Sequence, residues 1–512
     1  MTVKKRKSIK GTAVFRACVV AVSVLFQAGW LLLAVVKLNA YYAWISLCTT
    51  LFSAVVVLKL YSKHTNAAMK MPWIMLIMAF PVMGLSMYLM FDMLGDPGVR
   101  KRLRSAGERI REARYFPKDT LQDLDRQDSG AAGCFRYLQT AVGAPVYRNT
   151  KVTYYAEAKD AFEAMKQALE QAQSYIFMEY FIVEDASAFQ ELQQILIRKR
   201  QEGVDIRFLY DDIGSVGYVN MLFAAKLNGA GIRCVPFNPA VPVLNLFMNH
   251  RDHRKIMVID GKVGFTGGFN LADAYFDRER PFGKWKDTGV RLEGEAVCGL
   301  SATFLQLWSV VTRDKTDFDR YLLPQCSVSS DNYVQPFGDD PLSKERAAQN
   351  VYLNLIGQAA KSFYVMTPYL IIPDELSNAL GLAAKRGVDV RIITPGIPDK
   401  KTVFAITRSY YGSLVDQGVR IFEYSPGFCH GKMFICDGKV AMVGTSNLDY
   451  RSLYHHFENN VLLYGGEAVE AVGRDFEGLF VQSREVTEDY RCDRGAMLKM
   501  WQCLLRLFAP LI

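Results

Sequence analysis

The chain has 512 residues, room for two or three domains, and half of them are hydrophobic, which is high for a soluble protein. The formal net charge is +9, but residues 1–116 carry 17 Lys+Arg against 4 Asp+Glu, so the remainder nets −4. That split argues against a nucleic-acid binder, whose catalytic part would be basic. Ten cysteines without a paired C-x2-C spacing argue against a zinc site and imply free thiols in a reducing compartment.

The front of the chain reads as a membrane anchor, residues 1–95. Segments 17–36, 40–58 and 72–91 are each nearly uncharged and close to the ~20 residues a bilayer-spanning helix needs. The first is too long for a cleaved signal peptide, and a second follows almost at once. Lys4, Lys5, Arg6, Lys7 and Lys10 precede the segments, and Arg100, Lys101, Arg102, Arg104, Arg109, Arg111 and Arg114 follow them. Both clusters ask to be cytoplasmic, which three full spans cannot satisfy. Pro81 and Gly84 make the third segment the candidate for an interfacial or re-entrant one. Residues 96–132 read as a basic juxtamembrane linker.

From residue 133 the pattern changes to alternating α and β units. Phe162, Met165 and Leu169 mark a helix, 175–183 a strand, Phe189, Leu192 and Leu196 a second helix, and 204–210 a second strand. The order then repeats. Residues 362–371 match 174–183. Gly387-Val388-Asp389-Val390-Arg391 matches Gly203-Val204-Asp205-Ile206-Arg207, and Gly418-Val419-Arg420-Ile421 matches Gly231-Ile232-Arg233-Cys234. Similar offsets in one order mean a duplication. The expected boundaries are 133–313 and 339–490 for the two domains, a Ser/Pro/Gly linker over 314–338, and a tail over 491–512. The tail either lies on a membrane as an amphipathic helix or packs on the core.

Within the repeat, His253-Arg254-Lys255 leads to Asp260 and then Gly267-Gly268-Phe269-Asn270. His430-Gly431-Lys432 leads to Asp437 and then Gly444-Thr445-Ser446-Asn447. His to Asp is seven positions and His to Asn seventeen in both copies, in a chain with six histidines. Each copy reads as a strand, an Asp-Gly hairpin turn and a return strand. His and Lys, two apart, share a face. Asn270 and Asn447 follow as candidate phosphate donors. His253, Lys255, Asp260, His430, Lys432 and Asp437 form the candidate catalytic set, although for Asp260 and Asp437 the role of turn residue outranks direct chemistry. Two His and two Lys facing one phosphodiester allow a phosphohistidine route: one imidazole attacks, the other handles protons, and the lysines supply positive charge without a metal or cofactor. Asp287 and Glu458 are the candidates for orienting the imidazoles.

These motifs resemble the phospholipase D superfamily, whose signature is a duplicated H-x-K-x4-D, and more closely the bacterial cardiolipin synthases. Further matches are Met178-Glu179-Tyr180-Phe181-Ile182, Trp285-Lys286-Asp287-Thr288-Gly289, Thr367-Pro368-Tyr369-Leu370 and Asn447-Leu448-Asp449-Tyr450-Arg451-Ser452. One departure is His455-His456-Phe457-Glu458, where the family more usually has an apolar residue and Asn before Phe-Glu. The resemblance implies an α/β protein of two tandem phospholipase D-like α/β/α sandwich domains with pseudo-two-fold symmetry, behind N-terminal transmembrane helices. It implies that carboxylates such as Asp287 and Glu458 brace the histidines, with His253 the nucleophile and His430 the acid/base. It also implies phosphatidylglycerol as donor and acceptor, cardiolipin and glycerol as products, and a catalytic part on the cytoplasmic side of the cell membrane. The rivals are a membrane-bound phospholipase D-type hydrolase, a nuclease, and a non-catalytic lipid-binding scaffold. Intact His and Lys in both copies argue against the last. Oligomeric state has no signature in the sequence.

Overall fold

The computed structural model describes residues 42–63, 65–89, 97–239, 250–314, 318–491 and 505–507, with 21–22, 25–26 and 28–30. The N-terminal lysines, most of segment 17–36 and most of the tail lie outside these residues.

The sequence repeat becomes two sheets with one strand order. The first half supplies β1 (Thr150–Tyr155), β2 (Tyr175–Tyr180), β3 (Asp205–Asp211), β4 (Arg233–Phe237), β5 (Arg251–Asp252), β6 (Lys255–Ile259), β7 (Val263–Gly267), β8 (Lys284–Lys286) and β9 (Gly289–Gly294). The second supplies β10 (Tyr333–Asp339), β11 (Ser362–Met366), β12 (Leu370–Ile371), β13 (Asp389–Pro395), β14 (Arg420–Tyr424), β15 (Gly427–Cys429), β16 (Met433–Cys436), β17 (Val440–Gly444), β18 (Leu448–Asp449), β19 (His456–Tyr464) and β20 (Ser483–Glu485). The first sheet runs β1-β9-β7-β6-β2-β3-β4. The second runs β10-β19-β17-β16-β11-β13-β14-β20, the same order with one strand added. In each, three strands that precede the His motif, β2-β3-β4 and β11-β13-β14, are parallel and require crossover connections. The other neighbours on these paths are antiparallel, and the hairpins β6–β7 and β16–β17 carry the His motifs.

The hairpins turn on Asp260-Gly261 and Asp437-Gly438, all four at positive φ (53°, 66°, 52° and 69°), as a type I′ turn demands. Packing is layered. One apolar cluster lies between the first sheet and helices Ala158–Glu170 and Ser187–Gln201. A second lies between the two sheets, around helices Val297–Thr312 and Gly466–Gln482. A third lies outside the second sheet. Helix Val297–Thr312 is apolar nearly all round because it is covered nearly all round, with Trp308 fully buried.

Four sequence boundaries need correction. Residues 96–132 are no loose linker: helix Pro97–Ala113 sinks Val99, Leu103, Ala106 and Ile110 into the central cluster, while Arg100, Lys101, Arg104 and Arg111 face outward. Its charge content disguised a regular apolar stripe. Residues 133–146, assigned to the first domain, pack Phe135, Leu138 and Val146 with Val351 and Leu355 of the second. The expected linker 314–338 ends in β10, which pairs with β19 at seven positions; Pro336 is tolerated there because β10 is an edge strand. Segment 72–91 is not one helix. It forms Ala67–Ala79 and Pro81–Tyr88, broken at Phe80 (φ −136°, ψ 76°), with Pro81 opening the second helix. Gly84 makes the fold-back possible, since a Cβ there would collide with the backbone of Leu76 and Ile77. Both helices pack on helix Tyr42–Ser62 through Val56, Leu60, Ile77, Leu85 and Tyr88. Asn66 caps Ala67–Ala79 through Ala68 and donates to Glu375 at 2.9 Å, tying this region to the second half. Among the described residues, no helix is long and apolar enough to cross a membrane.

Candidate active site

Two short parallel ladders join the halves and build the site. β5 pairs with the start of β19, Arg251 opposite His456 and Asp252 opposite Phe457. The next residues in that register are His253 and Glu458. β15 pairs with β8, Gly427 opposite Lys284, Phe428 opposite Trp285 and Cys429 opposite Lys286. The next residues there are His430 and Asp287. Backbone bonds carry each register one step further, from His253 N–H to the Phe457 carbonyl (2.9 Å) and from His430 N–H to the Lys286 carbonyl (2.7 Å).

The carboxylates therefore act across the halves. His253 Nδ1 lies 2.9 and 3.0 Å from the two Glu458 oxygens, and His430 Nδ1 lies 2.7 Å from Asp287 Oδ2. Both carboxylates are fully buried, and both imidazoles are 8% exposed. An ionised carboxylate only accepts, so each pairing puts the ring proton on Nδ1 and the lone pair on Nε2. Aromatic walls hold the rings. Phe181 meets His253 edge-on at 5.0 Å, and Tyr275 meets His430 edge-on at 5.2 Å, with Trp285 and Phe428 also against His430. Gly268 leaves room for Asp287, because a Cβ there would overlap that carboxylate.

The electrostatics follow from burying many charges together. Burial first, then Lys255, pushes His253 well below the usual imidazole value. Burial and Lys432 bring His430 down to about 4, although Asp287 pulls the other way. Burial lowers Lys255 to about 7 and Lys432 to about 8, partly offset by Glu458 and Asp287. Lys255 Nζ bonds the His253 carbonyl at 2.5 Å. Lys432 Nζ bonds the His430 carbonyl and lies within 3.0 Å of both ring nitrogens. An arriving phosphate anion raises both lysines back toward full charge.

His253, Lys255, His430, Lys432, Asp287 and Glu458 thus converge. Of the other residues named from the sequence, Asp260 and Asp437 take the turn role that outranked direct chemistry. Asp260 accepts the N–H groups of Gln173, Ser174 and Tyr175 at 2.7–2.9 Å, and Asp437 those of Ala360, Lys361 and Ser362 at 2.7–2.9 Å. They pin each hairpin to the start of its neighbouring strand, so they are turn residues and not catalytic ones. Asn270 donates to the Tyr275 hydroxyl (2.8 Å) and accepts from Ile182 N–H (3.0 Å). Asn447 donates to Asp449 (3.1 Å). Each amide spends one of its two N–H groups on the protein and is thereby fixed in the wall of the site. Sequence reasoning missed Phe181 and Tyr275, the aromatic walls, and Thr445, whose hydroxyl bonds Glu458 Oε2. Thr445 was visible inside the second Gly-x-x-Asn stretch. Among the described residues, His253, His456 and Glu458 are the one group with metal-ligand spacing, their ligand atoms within 4.8 Å of one another. Lys255 and Arg451 beside them disfavour a dication, and the lysines already supply positive charge.

The arrangement suits in-line transfer at a phosphodiester, and comparisons agree. A family model described as "Cardiolipin synthase, PLD-like domain" matches the chain twice, over residues 165–293 and 352–480. The chain is 34% identical to "Cardiolipin synthase 2" of Bacillus cereus, over 88% of this chain and 88% of that protein. It is 33% identical to "Cardiolipin synthase" of Halalkalibacterium halodurans, over 91% of this chain and 92% of that protein. A solved phosphatidylserine synthase of Haemophilus influenzae shares the fold with a TM-score of 0.55 at 16% identity, covering 74% of this chain and 97% of that one.

Proposed function

The chain belongs to the cardiolipin synthase family of phospholipase D-like proteins, and we propose that it transfers a phosphatidyl group from one phosphatidylglycerol to another, giving cardiolipin and glycerol. The observation that carries this reading is the pair of crossed dyads, His253–Glu458 and His430–Asp287, facing each other with two lysines. His253 Nε2 attacks phosphorus. The P–O bond to the glycerol headgroup breaks as protonated His430 gives its Nε2 proton to the leaving oxygen, leaving a phosphatidyl group on His253. A hydroxyl of the second phosphatidylglycerol then gives its proton to His430 and attacks phosphorus, and the P–N bond breaks. Lys255 and Lys432 stabilise the non-bridging oxygens.

The apolar surface of the N-terminal helices supports membrane anchoring, with the catalytic halves on the cytoplasmic face. Leu47, Leu51, Phe52, Val55 and Leu58 are exposed on helix Tyr42–Ser62, as are Met71, Met75 and Met78 on Ala67–Ala79. The fold-back at Phe80 suits a re-entrant hairpin, and the outward arginines of Pro97–Ala113 suit an anionic leaflet. A reporter fused after Tyr115 should behave as cytoplasmic; labelling of that site from outside intact cells would refute this topology.

Mass spectrometry of lipids after incubating reconstituted protein with phosphatidylglycerol tests the reaction. Cardiolipin with released glycerol is expected. Phosphatidate alone would make the protein a hydrolase, and no turnover of an intact preparation would reject the catalytic reading.

A further inference from the structure

His456 stands outside the duplicated motif, yet it is one of the groups nearest the first dyad. It lies two residues before Glu458 on β19, so the two side chains share a face. Arg451 Nε donates to His456 Nε2 at 3.3 Å. Arginine is a donor only, so Nε2 carries the lone pair and the ring proton sits on Nδ1. That Nδ1 is buried without a hydrogen-bond partner and lies 3.8 Å from Glu458 Oε1, in a side chain 9% exposed. The His456 ring is 5.5 Å from that of His253, and Phe181 lies against both. Glu458 therefore has an imidazole N–H on each side, one in contact and one a short step away.

We propose that His456 is a positioning residue of the first half-site: its Nδ1–H closes on Glu458 Oε1 when His253 becomes charged, and keeps Glu458 an acceptor through the reaction. The need is specific. A protonated Glu458 would donate to His253 Nδ1, move the ring proton to Nε2, and abolish the attacking lone pair. A second N–H donor on the carboxylate opposes that protonation. The other half-site has a donor in the equivalent place, the Thr288 N–H on Asp287 Oδ1 at 2.9 Å. Burial first, then Arg451 and His455 from its own segment, Lys255 from β6 and Arg251 from β5, hold His456 neutral and therefore a fixed donor, against the pull of Glu458 at 3.8 Å. Thr445 holds the other Glu458 oxygen, so Oε1 is the oxygen left for His456.

The inference rests on the reading of His253 and Glu458 as a catalytic dyad. It is tested with the purified full chain in detergent–phosphatidylglycerol micelles and, in parallel, with the soluble diester bis(p-nitrophenyl) phosphate. His456→Leu should lower kcat about tenfold with KM little changed, the lower end of what losing an outer-shell partner costs at metal-bound histidines. It should also move the acid limb of the pH profile to higher pH, because Glu458 then protonates more easily. His456→Asn should restore both, since Asn Nδ2 takes the place of imidazole Nδ1 on Cγ. Parental kcat and acid limb in His456→Leu would overturn the proposal. So would an equal loss in Leu and Asn variants with an unmoved acid limb, which would mark packing alone. Thermal melts of all three identify a folding defect. If the parent cleaves the soluble diester but makes no cardiolipin, the lipid reaction is wrong, while the role of His456 is still read on the diester.

Discussion

In the first half-site a glutamate, Glu458, holds His253; in the second a shorter aspartate, Asp287, holds His430. Burial raises both carboxyls, but the outcome differs. Asp287 ends below the usual carboxylate range because His430, Lys432 and the Thr288 N–H outweigh burial. Glu458 ends well above it, since Lys255 and the Thr445 hydroxyl do not outweigh burial. His430 consequently faces a secure negative charge and keeps some basicity, while His253 is held strongly neutral. A group that must accept and return a proton belongs beside the secure charge, and a group that must attack belongs where it stays unprotonated. The repeat holds two like motifs; unequal surroundings give their histidines unequal basicity.

The largest effects come from the histidines themselves. His253→Ala and His430→Ala should each lose at least about 10³-fold in kcat, and the double variant little more, because the two act as a unit. With a donor carrying a good leaving group, the His430 variant should accumulate phosphatidyl-enzyme on His253, and the His253 variant none. Phosphohistidine mapped by mass spectrometry to His430 would reverse the comparison. Next come the carboxylates. Asp287→Asn should cost about 10²-fold in kcat and Glu458→Gln about tenfold, since orienting an imidazolium needs a charge more than orienting a neutral ring does. Their pH profiles should differ as well. Activity is present above the raised Glu458 value and is lost as pH falls through it, so Glu458→Gln should flatten the acid limb and Asp287→Asn should leave it in place. The smallest effects belong to the hairpin aspartates. Asp260→Ala and Asp437→Ala should each lose about 1–3 kcal/mol of stability with kcat within a few-fold of parental. Asp260 should cost more, because its N–H partners are more deeply buried than those of Asp437. Thermal melting with parallel turnover checks both.

The duplicated motif, the repeat and the hairpin turns were legible because each is local: a spacing, a period, an Asp-Gly pair. The crossed partnership was not, because positions 34 and 28 residues after each histidine suggest that each motif carries its own carboxylate. Only the strands β5 and β15, too short to show a period, reveal the exchange. Type and spacing singled out Asn270 and Asn447 but gave no sign of Tyr275 and Asp449, which each take up with one of these amides through the tertiary fold. The helix Pro97–Ala113 was hidden by its arginines, and the break at Phe80 was signalled by Pro81 and Gly84 without its direction being given. The departure at His456 was visible as a change of residue, but its meaning depended on Arg451 fixing the tautomer.

The exchange of carboxylates between halves bears on how the protein is made. A growing chain that has emerged as far as residue 313 holds His253 without its carboxylate and Asp287 without its histidine. The His253–Glu458 pair forms only once residue 458 has been made. Both ladders join the two halves, so parting the halves would separate both histidines from their carboxylates. The five residue pairs of the two ladders thus make the assembled site a product of completed folding.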